Sequence, residues 1–195
     1  MPDPMRLIAQ RATGCRPQGL AARMISNWGY FMKKHKVSAQ PPVDGDNHTN
    51  TWIGTDVSDT FYGLKGTDFM YGGQGSDRLY GYSGKDKLTG GTGQDFLTGG
   101  SGDDTFIYNS VAEASDPTSS DVIMDFKSNA DKLDFHAFMA GGHFAGATLV
   151  ADGTKQIAYD KATGILSGDV NGDGVADFTI TMANHVNLVA GDFIF

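Results

Sequence analysis

Between residues 54 and 107 a large apolar side chain returns at every ninth position: Phe61, Met70, Leu79, Leu88, Leu97 and Phe106. An aspartate stands two residues before each, at Asp59, Asp68, Asp77, Asp86, Asp95 and Asp104, and a glycine opens each unit, at Gly54, Gly63, Gly72, Gly81, Gly90 and Gly99. The units read GTDVSDTFY, GLKGTDFMY, GGQGSDRLY, GYSGKDKLT, GGTGQDFLT and GGSGDDTFI, with no residue inserted or lost between them. Self-similarity at a fixed period marks a repeat architecture in which each unit stacks on its neighbours.

Positions 1, 2 and 4 of the unit are rich in glycine, which permits positive φ and close backbone approach. The first six residues therefore make a tight loop whose carbonyls point inward and whose last residue is the aspartate. Positions 7–9 form a short strand with one inward apolar side chain, because strand side chains alternate. Two units complete one coil. Asp59, Asp77 and Asp95 then line one edge, Asp68, Asp86 and Asp104 line the other, and the apolar residues stack as a thin ladder between them.

Carboxylates stacked at about 4.8 Å, one strand spacing, repel. A divalent cation between successive loops removes that repulsion. The repeat contains no thiol and no imidazole, and an all-oxygen donor set in a flexible loop selects Ca²⁺ over Zn²⁺, Cu²⁺ or Mg²⁺. The candidate ligands are the six position-6 aspartates with the loop glycines Gly72, Gly73, Gly75, Gly81, Gly84, Gly90, Gly91, Gly93, Gly99, Gly100 and Gly102. The first unit is degenerate, with Val57 in place of glycine and an extra acid at Asp56.

After residue 108 glycine thins out and strand-like runs appear (DVIMDF, DKLDF, ATLVA, KQIAY, GILSGDV, ADFTITM, DFIF), separated by turn signals such as ADGTK, DKATG and NGDG. The expected fold is all-β: a parallel roll over 51–108, capped by a C-terminal β module over 109–195. Asp121 is a candidate to complete the last site of the roll beside Asp104. In GDVNGDGVADF, Asp169, Asn171, Asp173 and Asp177 stand at positions 1, 3, 5 and 9 of an EF-hand-like loop with Gly174 at position 6, but Ile180 replaces the glutamate at position 12. Calcium loop and hairpin turn both remain open readings there. Residues 1–50 read as a leader with a weakly amphipathic stretch, ending in the linker AQPPVDGDNHTN.

The charge divides along the same line. Residues 1–50 hold seven Lys/Arg against three Asp; residues 51–195 hold eight against twenty acids, all Asp except Glu113. So acidic a surface argues against nucleic acid and anionic membrane as partners. Cys15 is the one cysteine, so no intrachain disulfide forms. No run approaches the eighteen apolar residues of a membrane span, and Arg11, Arg16 and Arg23 break up any apolar segment of an N-terminal signal peptide.

The nonapeptide resembles that of the repeats-in-toxin (RTX), haemolysin-type family. The stretch from TFIY through DVIMDFKSNADKLDF to the final DFIF is similar to the C-terminal domain of serralysin-type metalloproteases. The resemblance implies a calcium-filled parallel β-roll in a protein of bacterial origin, secreted to the extracellular space. It implies folding on calcium only outside the cell and passage through a type I ABC transporter. The tail Asp192, Phe193, Ile194 and Phe195 is similar to the acidic-then-apolar terminal signal of that route, and it can equally be a last strand. The zinc helix H-E-x-x-H-x-x-G-x-x-H of serralysins is absent; the five histidines are scattered at 35, 48, 136, 143 and 185, and no G-x-S-x-G occurs. A non-enzymatic calcium-binding export and folding module is therefore the first expectation. The second is the C-terminal part of a larger exoenzyme, a metalloprotease or polysaccharide epimerase.

Overall fold

The computed structural model describes residues 43–114 and 120–195. The expectations for the basic leader and Cys15 fall outside them.

Each nonapeptide contributes one three-residue strand core. β1 is Val43–Asp44, β2 Thr51–Ile53, β3 Thr60–Tyr62, β4 Phe69–Gln74, β5 Arg78–Tyr80, β6 Lys87–Thr92, β7 Phe96–Thr98 and β8 Thr105–Ile107. Alternate strands fall into two sheets and pair in parallel, in register, eighteen residues apart, as Thr60 with Arg78 and Phe61 with Leu79. One coil therefore consumes two units.

The short helix α1 (Val111–Ala114) follows, then β9 (Asp121–Ile123), β10 (Lys132–Asp134), α2 (His136–Met139), β11 (His143–Gly146), β12 (Gln156–Asp160), β13 (Ile165–Asp169), β14 (Phe178–Met182), and β15 (Phe193–Ile194) at the terminus. One sheet has the order β1-β3-β5-β7-β9-β14-β13-β12-β11, the other β15-β10-β8-β6-β4-β2. The expected division at residue 108 does not interrupt either sheet: β9 pairs in parallel with β7, and β10 with β8. Only β12, β13 and β14 turn antiparallel. The DKATG turn joins the first two, where Asp160 Oδ1 accepts the Ala162 amide.

The core follows from strand alternation. One sheet points Phe61, Leu79, Leu97, Ile123 and Met182 inward; the other points Trp52, Met70, Leu88, Phe106, Leu133 and Phe193 inward, each paired in register with the next. Met70, Leu79, Leu88, Leu97 and Phe106 are fully buried, and each such side chain contributes about 1.5–3 kcal/mol. The ladder widens at its C-terminal end into an aromatic cluster, where Phe135 packs on Tyr108, Phe178 and Phe193, and Phe193 stacks on Phe144.

One boundary expected from sequence moves. Residues 43–50, read as linker, already belong to the roll: Val43 and Asp44 pair with Phe61 and Tyr62. GDNHTNTWI (45–53) is a seventh unit, with Gly45 at position 1, Asn50 at position 6 and Trp52 at position 8. The C-terminal tail forms a last strand, one of the two readings left open for it: β15 supplies the last strand of the second sheet.

Candidate metal centre

The aspartates at position 6 sit where each loop enters its strand, and stacking brings them into two rows. In the first row the Asp59 amide donates to Asp77 Oδ1 (2.7 Å), Asp77 to Asp95 (2.8 Å) and Asp95 to Asp121 (2.8 Å). In the second, the Asn50 amide donates to Asp68 Oδ1 (2.7 Å), Asp68 to Asp86 (2.8 Å), Asp86 to Asp104 (2.9 Å) and Asp104 to Asp131 (3.0 Å). One oxygen of each carboxylate is thus fixed by the backbone of the coil before it.

The second oxygen is the informative one. Oδ2 of Asp68, Asp77, Asp86, Asp95 and Asp104 is buried and accepts no hydrogen bond, whereas the Asp121 carboxylate meets the buried Tyr108 hydroxyl. Buried polar atoms are almost always paired, and a buried unpaired carboxylate oxygen is costly. The rows stop where this pattern stops. Asp59 Oδ2 accepts the Thr55 amide (2.7 Å) and hydroxyl (2.9 Å), and Asp131 Oδ2 accepts the Lys127 amide (2.8 Å). Asp59, grouped by sequence with the other five, differs from them in this.

The position-1 glycines make room for these oxygens. A Cβ at Gly63 would lie 2.6 Å from Asp68 Oδ2 and 2.8 Å from the Gly81 carbonyl oxygen. Gly72, Gly81, Gly90 and Gly99 stand in the same relation to Asp77, Asp86, Asp95 and Asp104. Glycine is needed there for close approach. At position 2 the requirement is conformational in five of the six units: Gly73, Gly91 and Gly100 have positive φ, as do Leu64 and Tyr82, while Thr55 of the degenerate first unit does not.

Burial, together with nearby carboxylates, raises these groups. Asp77 is pushed up to about 7, Asp86, Asp95 and Asp104 to about 6, and Asp121 to about 8, while Asp68 and Asp131 also lie above the usual value. Burial is the largest cause in each. Among the described residues no group of three or more His, Cys, Asp or Glu side chains could hold a metal alone. An ion in the rows would therefore need main-chain carbonyls as well as carboxylates. That all-oxygen donor set, with its unpaired anionic oxygens, fits Ca²⁺.

The other candidates fall elsewhere. In the 169–177 loop, which joins β13 to β14, Asp169 is buried and accepts the amides of Asn171 (3.1 Å), Gly172 (2.6 Å) and Gly174 (2.7 Å). Asp177 accepts the Val170 amide, Asp173 the Val175 amide and Asn171 the Asp173 amide. Its side-chain oxygens close the loop on itself, the arrangement of a self-capped turn. Asp192 is buried and accepts Ser128 Oγ (2.7 Å) and the amides of Asn129 (2.8 Å) and Val189 (2.9 Å), while Phe193 is buried and Ile194 exposed. His136 pairs with Asp134, and the His185 ring meets the Lys161 carbonyl.

Three site residues were missed from sequence, Asn50, Asp131 and Asp125, and Asp121, expected beside Asp104, stands beside Asp95 instead, with Asp131 in the expected place. Asp125 ends the loop stack by accepting the amides of Gly99 (2.9 Å) and Gly100 (2.8 Å), in place of the carbonyls a further coil would offer. The triplets Asp121-Val122-Ile123 and Asp131-Lys132-Leu133 carried the readable signal, an aspartate two residues before a buried apolar side chain.

No helix among the described residues is long and apolar enough to cross a membrane. No curated protein sequence matches the chain. Among solved structures, the chain is similar to the AlgE6R3 subunit of the Azotobacter vinelandii mannuronan C5-epimerase, at 26% identity over 80% of this chain and 86% of that one, with a TM-score of 0.48. The AlgE6R2 subunit of the same epimerase is similar at 28% identity over 80% and 92%, with a TM-score of 0.46. The RTX calcium-binding nonapeptide repeat matches residues 44–79, taking in the unit that begins at Gly45. The serralysin C-terminal domain of peptidase M10 matches residues 70–195, most of the chain and all but the first coil of the roll. Both matched regions are non-catalytic parts of their families. The chain belongs to the peptidase M10 serralysin C-terminal family, with RTX calcium-binding repeats leading into it.

Proposed function

We propose that this is a secreted protein whose β-roll folds on binding calcium after export through a type I ABC transporter. One observation carries the calcium part: five buried aspartate oxygens in two stacked rows, those of Asp68, Asp77, Asp86, Asp95 and Asp104, have no hydrogen-bond partner. The carboxylates and loop carbonyls of successive coils hold the ions, between Asp77 and Asp95 in one row and between Asp68, Asp86 and Asp104 in the other. What calcium supplies there is positive charge, which turns stacked, desolvated carboxylates from a destabilising feature into ligands. Without it the repulsion and the ordering entropy of a glycine-rich chain oppose folding. The free-calcium step between cytosol and exterior then acts as the folding trigger.

Far-UV circular dichroism of the full chain tests this. In chelator the repeat should give a coil-like spectrum, and calcium at about 1 mM should make it β-rich. A β-rich spectrum unchanged by chelator would contradict the proposal. The match to the C-terminal domain of a peptidase family favours a second reading, in which this architecture serves as the export and folding part of a larger exoenzyme. A catalytic domain encoded in frame upstream would support it.

A further inference from the structure

Two units place a large side chain where the backbone asks for glycine. At position 2, Gly73, Gly91 and Gly100 have φ of 110°, 104° and 96°, and Leu64 and Tyr82 are held at 74° and 69°. A residue with a Cβ is strained in that region, whereas glycine is not. Neither residue gains burial in return. Leu64 is 38% exposed and Tyr82 49%, and neither belongs to the buried core. Strain kept for exposed apolar side chains points to a surface that binds something.

The two residues lie one coil apart on the same edge of the roll, where the Ser83 amide donates to the Leu64 carbonyl (3.1 Å) and Lys65 bridges to Ser83. Asn47, Lys65 and Ser83, the third residues of three successive loops on this edge, join Leu64 and Tyr82 in lining a shallow hollow. Tyr62 and Tyr80 stack at 5.1 Å on the outer face of the sheet that holds β3 and β5. The Tyr82 ring leans on both, at 6.2 Å and 6.3 Å, which fixes its orientation.

The chemistry of the hollow selects its occupant. Tyr82 and Leu64 offer an apolar wall of the kind that the C–H face of a sugar ring covers. The Asn47 amide, the Ser83 hydroxyl and the Lys65 ammonium offer hydrogen bonds beside it; Lys65 has no ion pair among the described residues. Charge then decides the class of sugar. Residues 51–195 hold eight Lys/Arg against twenty acids, and such a field repels polyanions. We propose that Leu64 and Tyr82, with Asn47, Lys65 and Ser83, form a binding site for a neutral polysaccharide, one sugar ring seated against Tyr82 and its hydroxyls on the polar row. The site lies outside the aspartate rows, so its test is separate from that of calcium binding.

Calorimetry of the full chain at about 1 mM calcium tests this with cellohexaose, laminarihexaose and mannohexaose as neutral probes and hexagalacturonate as the acidic one. At least one neutral probe should bind saturably and more tightly than the acidic probe. Tyr82→Gly should weaken that binding by about tenfold or more. Leu64→Gly should weaken it too, while raising the melting temperature, because it installs the residue that the conformation favours. No binding of any neutral probe, tighter binding of hexagalacturonate, or full binding by Tyr82→Gly would overturn the site. Should Tyr82→Gly not fold, full binding by Leu64→Gly would overturn it equally, as would a lowered melting temperature there, which marks a packing role. A dimer of the unsubstituted chain that either variant dissociates would overturn it in favour of a second copy of this chain.

Discussion

The amide of Asp77 donates to Oδ1 of Asp95, eighteen residues later, at 2.8 Å, while Oδ2 of Asp95 lies buried with no partner. Half of each carboxylate therefore holds the coil together, and the other half has no partner in the chain. The relation repeats along both rows and stops at Asp59 and Asp131, whose second oxygens are satisfied by the chain itself. The central predictions follow from that contrast.

Replacing an aspartate with an orphaned oxygen should differ from replacing one without. Asp86→Asn removes a charged ligand between two coils and should raise the calcium midpoint of folding by about tenfold or more. Asp59→Asn, whose Oδ2 partner is Thr55, should shift it far less. Equal shifts in the two variants would contradict the division of the rows.

Glycine at position 1 should be irreplaceable even by alanine. At Gly72 an added Cβ meets both Asp77 Oδ2 and the Gly90 carbonyl oxygen, two of the proposed donors. Gly72→Ala should abolish calcium-driven folding of its coil, read as lost β signal at saturating calcium. Gly153→Ala serves as the control, because nothing lies near its Cβ; its positive φ gives it only a modest destabilisation.

The pH dependence should reverse with calcium. Asp77 and Asp121 titrate in the fold near about 7 and about 8, and Asp86, Asp95 and Asp104 near about 6, against 3.8 ordinarily. A raised folded pKa gives stability that is present below pH 4 and lost as pH climbs through 6 to 8. The calcium-free chain should therefore gain β structure on acidification from pH 8 to pH 4.5. The calcium-loaded chain should need more calcium over the same descent, since protons compete for the carboxylates. A calcium-free spectrum indifferent to pH would contradict the buried-carboxylate account.

The C-terminal tail should be exposed in the exported chain and hidden in the folded one. Phe193 pairs with Leu133 in the inward ladder, and Asp192 is buried against Ser128 and Asn129. A transporter can read these residues only before folding. Deleting 192–195 should trap the chain in cells that carry the matching transporter, and Phe193→Ala should cost the purified protein about 3–5 kcal/mol of stability. Undiminished secretion of the truncated chain would refute the terminal-signal reading.

The roll was legible because its demands recur at fixed spacing. Gly72, Asp77 and Leu79 each do one job, and the same jobs return nine residues later at Gly81, Asp86 and Leu88. The unit at Gly45 was harder to see, because His48 replaces glycine and Asn50 replaces aspartate, although Asn50 still donates to Asp68 as the aspartates do. Asp131 escaped notice because it follows Asp104 by 27 residues and not 18; the segment between them breaks the register while the stacking continues. The place of Phe193 beside Leu133 is a long-range pairing between strands sixty residues apart, and no local pattern encodes it.

Calorimetric titration of the calcium-depleted full chain at pH 7.5 tests the central claim most directly. The two aspartate rows predict saturable binding of several ions per chain, with uptake coupled to the coil-to-β transition. Zero bound calcium, or binding that leaves the fold unchanged, would contradict the account.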